Sequence, residues 1–235
     1  MKMVILVDGG KGGVGKSIVA TTLVDRLLDD GVIPRIVEAD GSVPDVGRRF
    51  KDRGAVIAFA PLGGDELGEE RVIQVFSRVF DGDDIVVMNL PAGAGEILDT
   101  HAELIGDTAE MAGVDLVHVW VVGSDSASAD LAAISIDSGV ASVASRRVVV
   151  INEVHGNPAS FQWSHSNARN SWLALGAKEH AMPRMPASVI DAVEVHKRGF
   201  REALPHMSLM QQVALKRWLT RCDPIVNAVL GMGCD

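Results

Sequence analysis

The chain has 235 residues, of which 47% are hydrophobic, and a formal net charge of −9. This composition supplies a sizeable core, and its acidity disfavours general adhesion to nucleic acid. No apolar run reaches the ~18 residues that a membrane span requires. Cys222 and Cys234 lack metal-ligand spacing and no signal-peptide pattern precedes the first strand, so we expect a protein of the reducing cytoplasm.

Short apolar runs alternate with helical patterns along the whole chain. The alternation predicts a doubly wound α/β fold, with a mainly parallel sheet of seven or eight strands and helices on both faces. We expect a single domain over residues 1–235. Strands are predicted at 3–8, 34–39, 55–60, 84–89, 116–122, 147–152 and 177–182. Helices are predicted at 16–30, 66–80, 97–112, 126–143, 161–174, 188–203 and 208–221.

Residues 10–17 read GKGGVGKS, between the strand pattern KMVILV and the helical pattern SIVATTLVDRLL. In this context G-x-x-x-x-G-K-S is a P-loop, whose backbone N–H groups hold the phosphates of a nucleotide. We expect Lys16 to reach the β- and γ-phosphates and the Ser17 hydroxyl to bind Mg²⁺. The predicted nucleotide-binding residues of this segment are Gly10, Lys11, Gly12, Gly13, Val14, Gly15, Lys16, Ser17 and Ile18.

Lys11 is a second lysine in the loop, and Lys16 already suffices to hold the nucleotide in its own subunit. Because Lys11 is present, the run KGGVGKS resembles the deviant Walker A box of the ParA/MinD family of ATPases. The resemblance implies that ATP joins two subunits into a homodimer and that Lys11 reaches across the interface. There it stabilises transition-state charge, as an arginine finger does. The alternative for Lys11 is a solvated loop lysine.

The second predicted strand ends Val37-Glu38-Ala39-Asp40, which resembles the family's D-x-D segment. The match implies that Asp40 orients or activates the attacking water and contacts Mg²⁺ through water. Glu38 stands where the first acid of the family segment usually is. Without the family pattern, an acid at this place is most often a turn residue.

The fourth predicted strand ends in Asn89 and continues Leu90-Pro91-Ala92-Gly93. This segment resembles the D-x-P-A-G stretch of MinD-like proteins, with Asn89 in place of the aspartate. An amide hydrogen-bonds a water on Mg²⁺ but adds no negative charge. We therefore expect slow, partner-stimulated hydrolysis, and we expect Gly93 to let this switch II segment respond to the γ-phosphate.

The sixth predicted strand ends in Asn152. Family resemblance implies that this residue reads the adenine edge, and His155 stands where GTPases carry the aspartate that reads guanine, so ATP is favoured over GTP. The alternative for Asn152 is a cap that ends the strand. By the same resemblance, Pro183 after the next strand borders the base.

Several relatives with this loop are excluded by what the chain lacks. Iron–sulfur ATPases hold their cluster with cysteines near switch II, and tyrosine kinases of this fold use a tyrosine-rich tail, whereas this chain has no tyrosine. The C-terminal half resembles plasmid conjugal-transfer and mobilisation ATPases of the TraL or StbB type. The resemblance lies in VVVINEVHGNP, PASFQW, MPRMPASVIDAV and MSLMQQVALKRWL. We therefore expect an ATP-dependent switch in plasmid partition, stabilisation or conjugation.

Its expected partner is DNA or a DNA-bound protein. Residues 146–235 hold 11 Lys/Arg against 7 Asp/Glu, whereas residues 1–145 hold 11 against 24. The candidate basic residues are Arg146, Arg147, Lys197, Arg198, Arg201, Lys216, Arg217 and Arg221. Two alternatives remain. Residues 207–221 form an amphipathic pattern that suits a MinD-like membrane contact, and 155–180 is a candidate substrate pocket for a small-molecule ligase.

Overall fold

The computed structural model describes residues 2–39, 45–51, 53, 56–59, 62, 68–82 and 84–232. The strands in these ranges are β1 (Met3–Asp8), β2 (Arg35–Glu38), β3 (Val56–Phe59), β4 (Ile85–Asn89), β5 (Asp115–Val122), β6 (Arg146–Asn152) and β7 (Lys178–Met182). They form one sheet in the order β3-β2-β4-β1-β5-β6-β7. Every neighbouring pair is parallel. The predicted doubly wound α/β fold is confirmed.

Helices cover both faces of this sheet. They are α1 (Lys16–Asp29), α2 (Asp45–Phe50), α3 (Glu69–Val79), α4 (Ala94–Thr100), α5 (Ala102–Met111), α6 (Ala127–Asp137), α7 (Val140–Val143), α8 (Asn167–Ala174), α9 (Ala187–His196), α10 (Phe200–Ala203) and α11 (Leu209–Leu230). Met3, Ile5 and Val7 of β1 pack against α1, α9 and α11. Val4 and Leu6 pack against α3, α4 and α5. Alternate residues of one strand thus feed two cores, as in a sheet covered on both sides.

Three predicted helices are each divided in two, and at the break within 126–143 a polar side chain caps the second half. The pattern 97–112 divides into α4 and α5 at His101, and 126–143 divides into α6 and α7. Asp99 accepts hydrogen bonds from the Val140 N–H at 2.8 Å and from Ser135 Oγ at 2.9 Å. The carboxylate therefore satisfies a first-turn donor of α7.

The remaining differences are the third division, two shifted helix ends and one helix that was not predicted. The pattern 188–203 divides into α9 and α10 at Lys197, which has a left-handed φ of 49°. The pattern 161–174 contains a 3₁₀ turn, and α8 begins only at Asn167. Helix α11 continues to Leu230, through Pro224, well beyond the predicted residue 221. Helix α2 was not predicted; the buried Glu38 carboxylate accepts the Gly47 N–H in its first turn at 2.6 Å.

The parallel register brings the ends of four strands to one edge. Val7 of β1 pairs with Asn89 of β4, and Glu38 of β2 pairs with the same Asn89. On the other side, Asp8 pairs with Trp120 of β5. Strand order reverses at β1, and ligands of such sheets bind at the carboxyl ends beside this switch point.

Candidate nucleotide-binding site

The glycine-rich loop has the conformation and the open side that phosphate binding needs. Gly13 and Gly15 have φ of 81° and 109°, which favours glycine at both positions. A Cβ at Gly13 would meet nothing within 4 Å, and one at Gly12 would meet only Ala92 of switch II, at 3.9 Å. The loop ends at the first turn of α1, whose N–H groups lack partners within the helix. The residues present therefore fit a bound polyphosphate.

The two lysines of the loop lie in different surroundings. Lys16 is only 8% exposed, and its ammonium donates to the carbonyl oxygens of Lys11 at 3.0 Å and Gly9 at 3.4 Å. Lys11 is exposed, with Gly12 and Gly13 beside it. Ser17 and Ile18 are half-buried, and Ile18 packs against the core. Lys16 thus folds over the loop, while Lys11 faces outward.

Asn152 joins the end of β6 to the loop. Its Nδ2 donates to the carbonyl of Val14 at 2.8 Å, and its Oδ1 accepts from the Val154 N–H at 3.1 Å. The side chain is 4% exposed. A Cβ added at Gly15 would overlap this Nδ2, so the close approach requires glycine. The amide thus caps the turn after β6 and holds the loop; its predicted contact with adenine stays a prediction.

Glu38 and Asn89 form a buried hydrogen bond at the edge of the site. The Nδ2 of Asn89 donates to Glu38 Oε2 at 3.0 Å. Glu38 is 0% exposed and Asn89 is 3% exposed. Burial raises the pKa of the Glu38 carboxyl, and the hydrogen bonds from Asn89 and Gly47 offset part of that shift. Asn89 Oδ1 is buried without a hydrogen-bond partner. Asn89 therefore positions the end of β2 and still has an acceptor oxygen to offer.

Asp40, the predicted catalytic and magnesium-linked acid, lies outside the described residues. The preceding residue is well placed, since the Ala39 N–H donates to the Asn89 carbonyl at 3.1 Å. Gly93 of the predicted switch II segment is exposed, has a φ of 82° and is the N-cap residue of α4. Pro183 is buried, and its carbonyl accepts the Trp218 indole N–H at 2.6 Å. The roles of Asp40, Gly93 and Pro183 stay predictions.

Asp8 is a buried polar residue beside the loop that none of the predicted motifs includes. Asp8, the last residue of β1, is 1% exposed and accepts the Gly9 N–H at 2.7 Å. Its Oδ2 lies 3.5 Å from Nε2 of the fully buried His118. The sequence pattern could have indicated this residue, because Asp8 is a polar residue at the end of a predicted strand, as Asn89 and Asn152 are.

Most of the predicted basic face is engaged within the chain. Arg146 pairs with Asp115 at 2.7 Å, and Arg198 pairs with Glu202 at 3.0 Å. Arg201 lies within 4 Å of both Asp25 and Asp29. Burial lowers the pKa of Arg147, whose guanidinium donates to the carbonyls of Ala141 and Ser142. Lys216 and Arg217 are exposed on α11. The net positive charge of the segment is therefore not a continuous free patch in the described residues.

The amphipathic pattern of 207–221 belongs to a packed helix. Leu215, Trp218 and Leu219 of α11 are buried in the core beside β6, β7 and α1. Leu209 and Met210 at its start are 75% and 79% exposed. Within the described part of the chain, no helix combines the length and the apolar character needed to cross a bilayer.

The whole chain superposes on solved structures of MinD. The chain superposes on MinD of Pyrococcus horikoshii, complexed with Mg-ADP, with a TM-score of 0.55, 14% identity and 100% coverage of both chains. It superposes on the MinC:MinD complex of Aquifex aeolicus with a TM-score of 0.55, 15% identity, and 94% and 96% coverage. The chain has the fold of the MinD ATPases. The predicted ParA/MinD resemblance is thereby confirmed for the fold.

A curated relative aligns with almost the whole chain. Protein MobD of Acidithiobacillus ferrooxidans is 25% identical over 232 residues, which are 97% of this chain and 98% of MobD. No protein-family model matches the chain. The similarity to MobD accords with the predicted mobilisation-type relatives.

Proposed function

We propose that this chain is an ATP-dependent molecular switch, which binds ATP with Mg²⁺, dimerises on it and hydrolyses it to ADP. The observation that carries the proposal is the pair of lysines in one loop. The Lys16 ammonium lies against the loop, where it donates to the Lys11 carbonyl, and Lys11 itself is exposed. An outward lysine is suited to a nucleotide held by a second subunit.

The loop supplies the binding chemistry of this proposal. The N–H groups of residues 12–18 and the Lys16 ammonium neutralise phosphate charge, and the Ser17 hydroxyl is the proposed ligand of Mg²⁺. Mg²⁺ neutralises the charge that develops on the phosphoryl oxygens. Asp40 is the proposed water-orienting acid. Asn89 Oδ1 is a neutral acceptor at the end of β4, so we expect basal turnover to be slow.

The hydrogen bond from Asn152 to the Val14 carbonyl supports a role for this residue in holding the loop. Contact with adenine is a second proposed role. The Asn152 amide has one further N–H beyond the bond to Val14. ATP is the proposed nucleotide, and 1–235 is the proposed single ATPase domain. Among the solved structures with this fold, one MinD is complexed with Mg-ADP.

Plasmid partition, stabilisation or conjugative transfer is the proposed setting. Its support is the similarity to MobD over almost all of both chains. DNA or a DNA-bound protein is the proposed partner. Because most arginines of the C-terminal segment are paired internally, a DNA-bound protein is the better supported of the two. The cytoplasm is the proposed location.

Mass measurement by light scattering tests the switch directly. We expect Asp40→Ala, which blocks hydrolysis, to be monomeric with Mg-ADP and dimeric with Mg-ATP. Lys16→Ala is expected to lose nucleotide binding. Lys11→Ala is expected to keep binding and lose partner-stimulated turnover, whereas Lys51→Ala, another exposed lysine, changes neither. A mass that ATP leaves unchanged would contradict the proposal.

A further inference from the structure

A cavity of about 520 Å³ lies beside the loop. Its floor is the sheet, where Asp8 and Trp120 are paired in register. Helices α4 and α6 contribute its walls, including Asp99 and Ile134. It meets the nucleotide site at Gly9 and Gly10 and at the glycines of switch II, but residues 12–18 do not line it. Its volume is that of a small-molecule site.

The cavity is acidic. Three carboxylates line it, from Asp8, Glu96 and Asp99, and its described lining contains no lysine, arginine or histidine. The negative charge of these carboxylates repels anions, so the cavity is unsuited to bind a phosphate group of the nucleotide. The described residues hold no group of three or more His, Cys, Asp and Glu placed to bind a metal ion. The remaining complementary ligand is an organic cation.

Asp8 lines this space with a carboxylate that is not fully hydrogen-bonded. Its side chain is 2% exposed, and Oδ2 has no hydrogen-bond partner. That oxygen lies 3.4 Å from the place of a Cβ on Gly95, a residue of the cavity wall. His118 Nε2 lies 3.5 Å from Oδ2, within ion-pair distance, but neither atom makes a hydrogen bond. A buried carboxylate oxygen without a hydrogen bond is costly, and a bound cation reduces that cost.

The rest of the lining suits a carbon chain. Trp120 lies on the floor, and Leu131 and Ile134 of α6 are 37% and 54% exposed. Both are large apolar side chains that a ligand would cover. We propose that the cavity binds a small organic cation, a guanidinium or ammonium group on an alkyl chain. The charged group lies at Asp8 and Asp99, and the chain packs on Trp120, Leu131 and Ile134.

Calorimetric titration of the nucleotide-free full chain tests this site. The probes are n-butylguanidinium and n-butylurea, which have the same shape and differ in charge. We expect the cation to bind at least about tenfold more tightly, or about 1.4 kcal/mol. Equal affinities, or no heat with the cation, would overturn the proposal. Because nucleotide is absent, this result is independent of the proposed ATPase activity.

Two variants assign the binding to the cavity. Asp8→Asn is expected to weaken cation binding at least about tenfold. Glu96→Lys is expected to abolish it, and since Glu96 is exposed, this variant keeps the test valid if Asp8→Asn fails to fold. Asp107→Asn, an exposed acid on α5, is the control and should bind as the wild type does. Unchanged binding in Glu96→Lys would overturn the assignment.

A last titration separates a free cation from a protein side chain. Acetyl-Gly-Arg-Gly-amide carries the same guanidinium on a peptide. Weaker binding of this peptide than of n-butylguanidinium supports a free small molecule. Tighter binding overturns that part of the proposal and assigns the cavity to an arginine of a partner protein.

Discussion

Asn89 donates a hydrogen bond to Glu38, so an amide at the end of β4 is bound to a fully buried carboxylate at the end of β2. The family resemblance leads one to expect an acid at both 38 and 89, and this chain has an amide at 89. The pair therefore holds one negative charge where two carboxylates would repel each other.

We predict that Asn89→Asp lowers the free energy of unfolding by about 3 kcal/mol, the cost of an uncompensated buried charge. Because burial already raises the pKa of Glu38, lowering the pH should recover stability by protonating the pair. Thermal unfolding without nucleotide, from pH 7 to pH 5, measures both effects.

The control for this prediction exchanges the two groups. Glu38→Gln with Asn89→Asp keeps one amide and one carboxylate, and the hydrogen bond reverses its direction. We expect stability close to that of the wild type and faster ATP hydrolysis, because the acid then stands nearer the proposed magnesium site. If the exchanged pair is as unstable as the single variant, charge repulsion is not the cause.

Gly15→Ala should destabilise the nucleotide-free protein more than Gly13→Ala. Both residues have left-handed φ, but only a Cβ at Gly15 overlaps Asn152. Backbone strain alone costs on the order of 1 kcal/mol at each position. The melting temperature of Gly13→Ala reports backbone strain alone, and that of Gly15→Ala reports strain together with the overlap on Asn152. Equal losses of stability would show that the overlap with Asn152 contributes nothing.

Asn152→Ala separates holding the loop from reading the base. If the amide acts mainly through Val14, ATP and GTP affinities should fall by the same factor. If it also reads adenine, the preference for ATP should shrink by about tenfold, the size of one base-edge contact. Competition titrations of both nucleotides on wild type and variant measure the ratio, and a wild type without preference would remove the adenine reading.

Stability should fall as the pH rises through the range in which Asp25 titrates. Burial raises the pKa of Asp25 from 3.8 to about 6, and the neighbouring Arg201 offsets part of that effect. The unfolded chain therefore loses this proton near pH 4, whereas the folded chain keeps it to about pH 6. The contribution is fully present below pH 4 and is lost above pH 6.

The expected loss from Asp25 is about 3 kcal/mol between pH 4 and pH 6, at 1.36 kcal/mol per pKa unit. Asp25→Asn should flatten this part of the stability curve, whereas Asp107→Asn, an exposed acid, should leave it unchanged. Chemical denaturation at several pH values gives the curves. The same slope in wild type and Asp25→Asn would assign it to other groups.

Exposed residues of α11 test the alternatives for the cargo. Leu209→Glu with Met210→Glu should abolish any ATP-dependent binding to anionic vesicles, while the fold is kept because both side chains are exposed. Lys216→Glu with Arg217→Glu should instead weaken any DNA binding and lessen its salt dependence. Co-sedimentation with vesicles and fluorescence anisotropy with labelled DNA measure the two interactions of the Mg-ATP dimer. If the dimer binds neither vesicles nor DNA, the partner is expected to be a protein.

The sequence by itself determined the strands and the loop. The ends of each predicted strand lie within two residues of the ends of an observed strand. Such strands are predictable because a continuous apolar run, such as 117–122, indicates a strand that is buried on both faces of a sheet. The loop was predictable because Gly13, Gly15 and the start of α1 depend on local backbone conformation. These are short-range properties, which neighbouring residues decide.

Only the tertiary structure decided which side chains meet. Asn152 contacts a loop 138 residues away, and Asn89 contacts Glu38 across 51 residues. Arg146 and Arg201, read as candidates for DNA, are engaged by Asp115 and Asp25. Asp99 divides the predicted helix 126–143 by its contact with Val140. Such contacts depend on strand order and on the helix that covers each face, and neither the hydrophobic period nor a local motif contains that information.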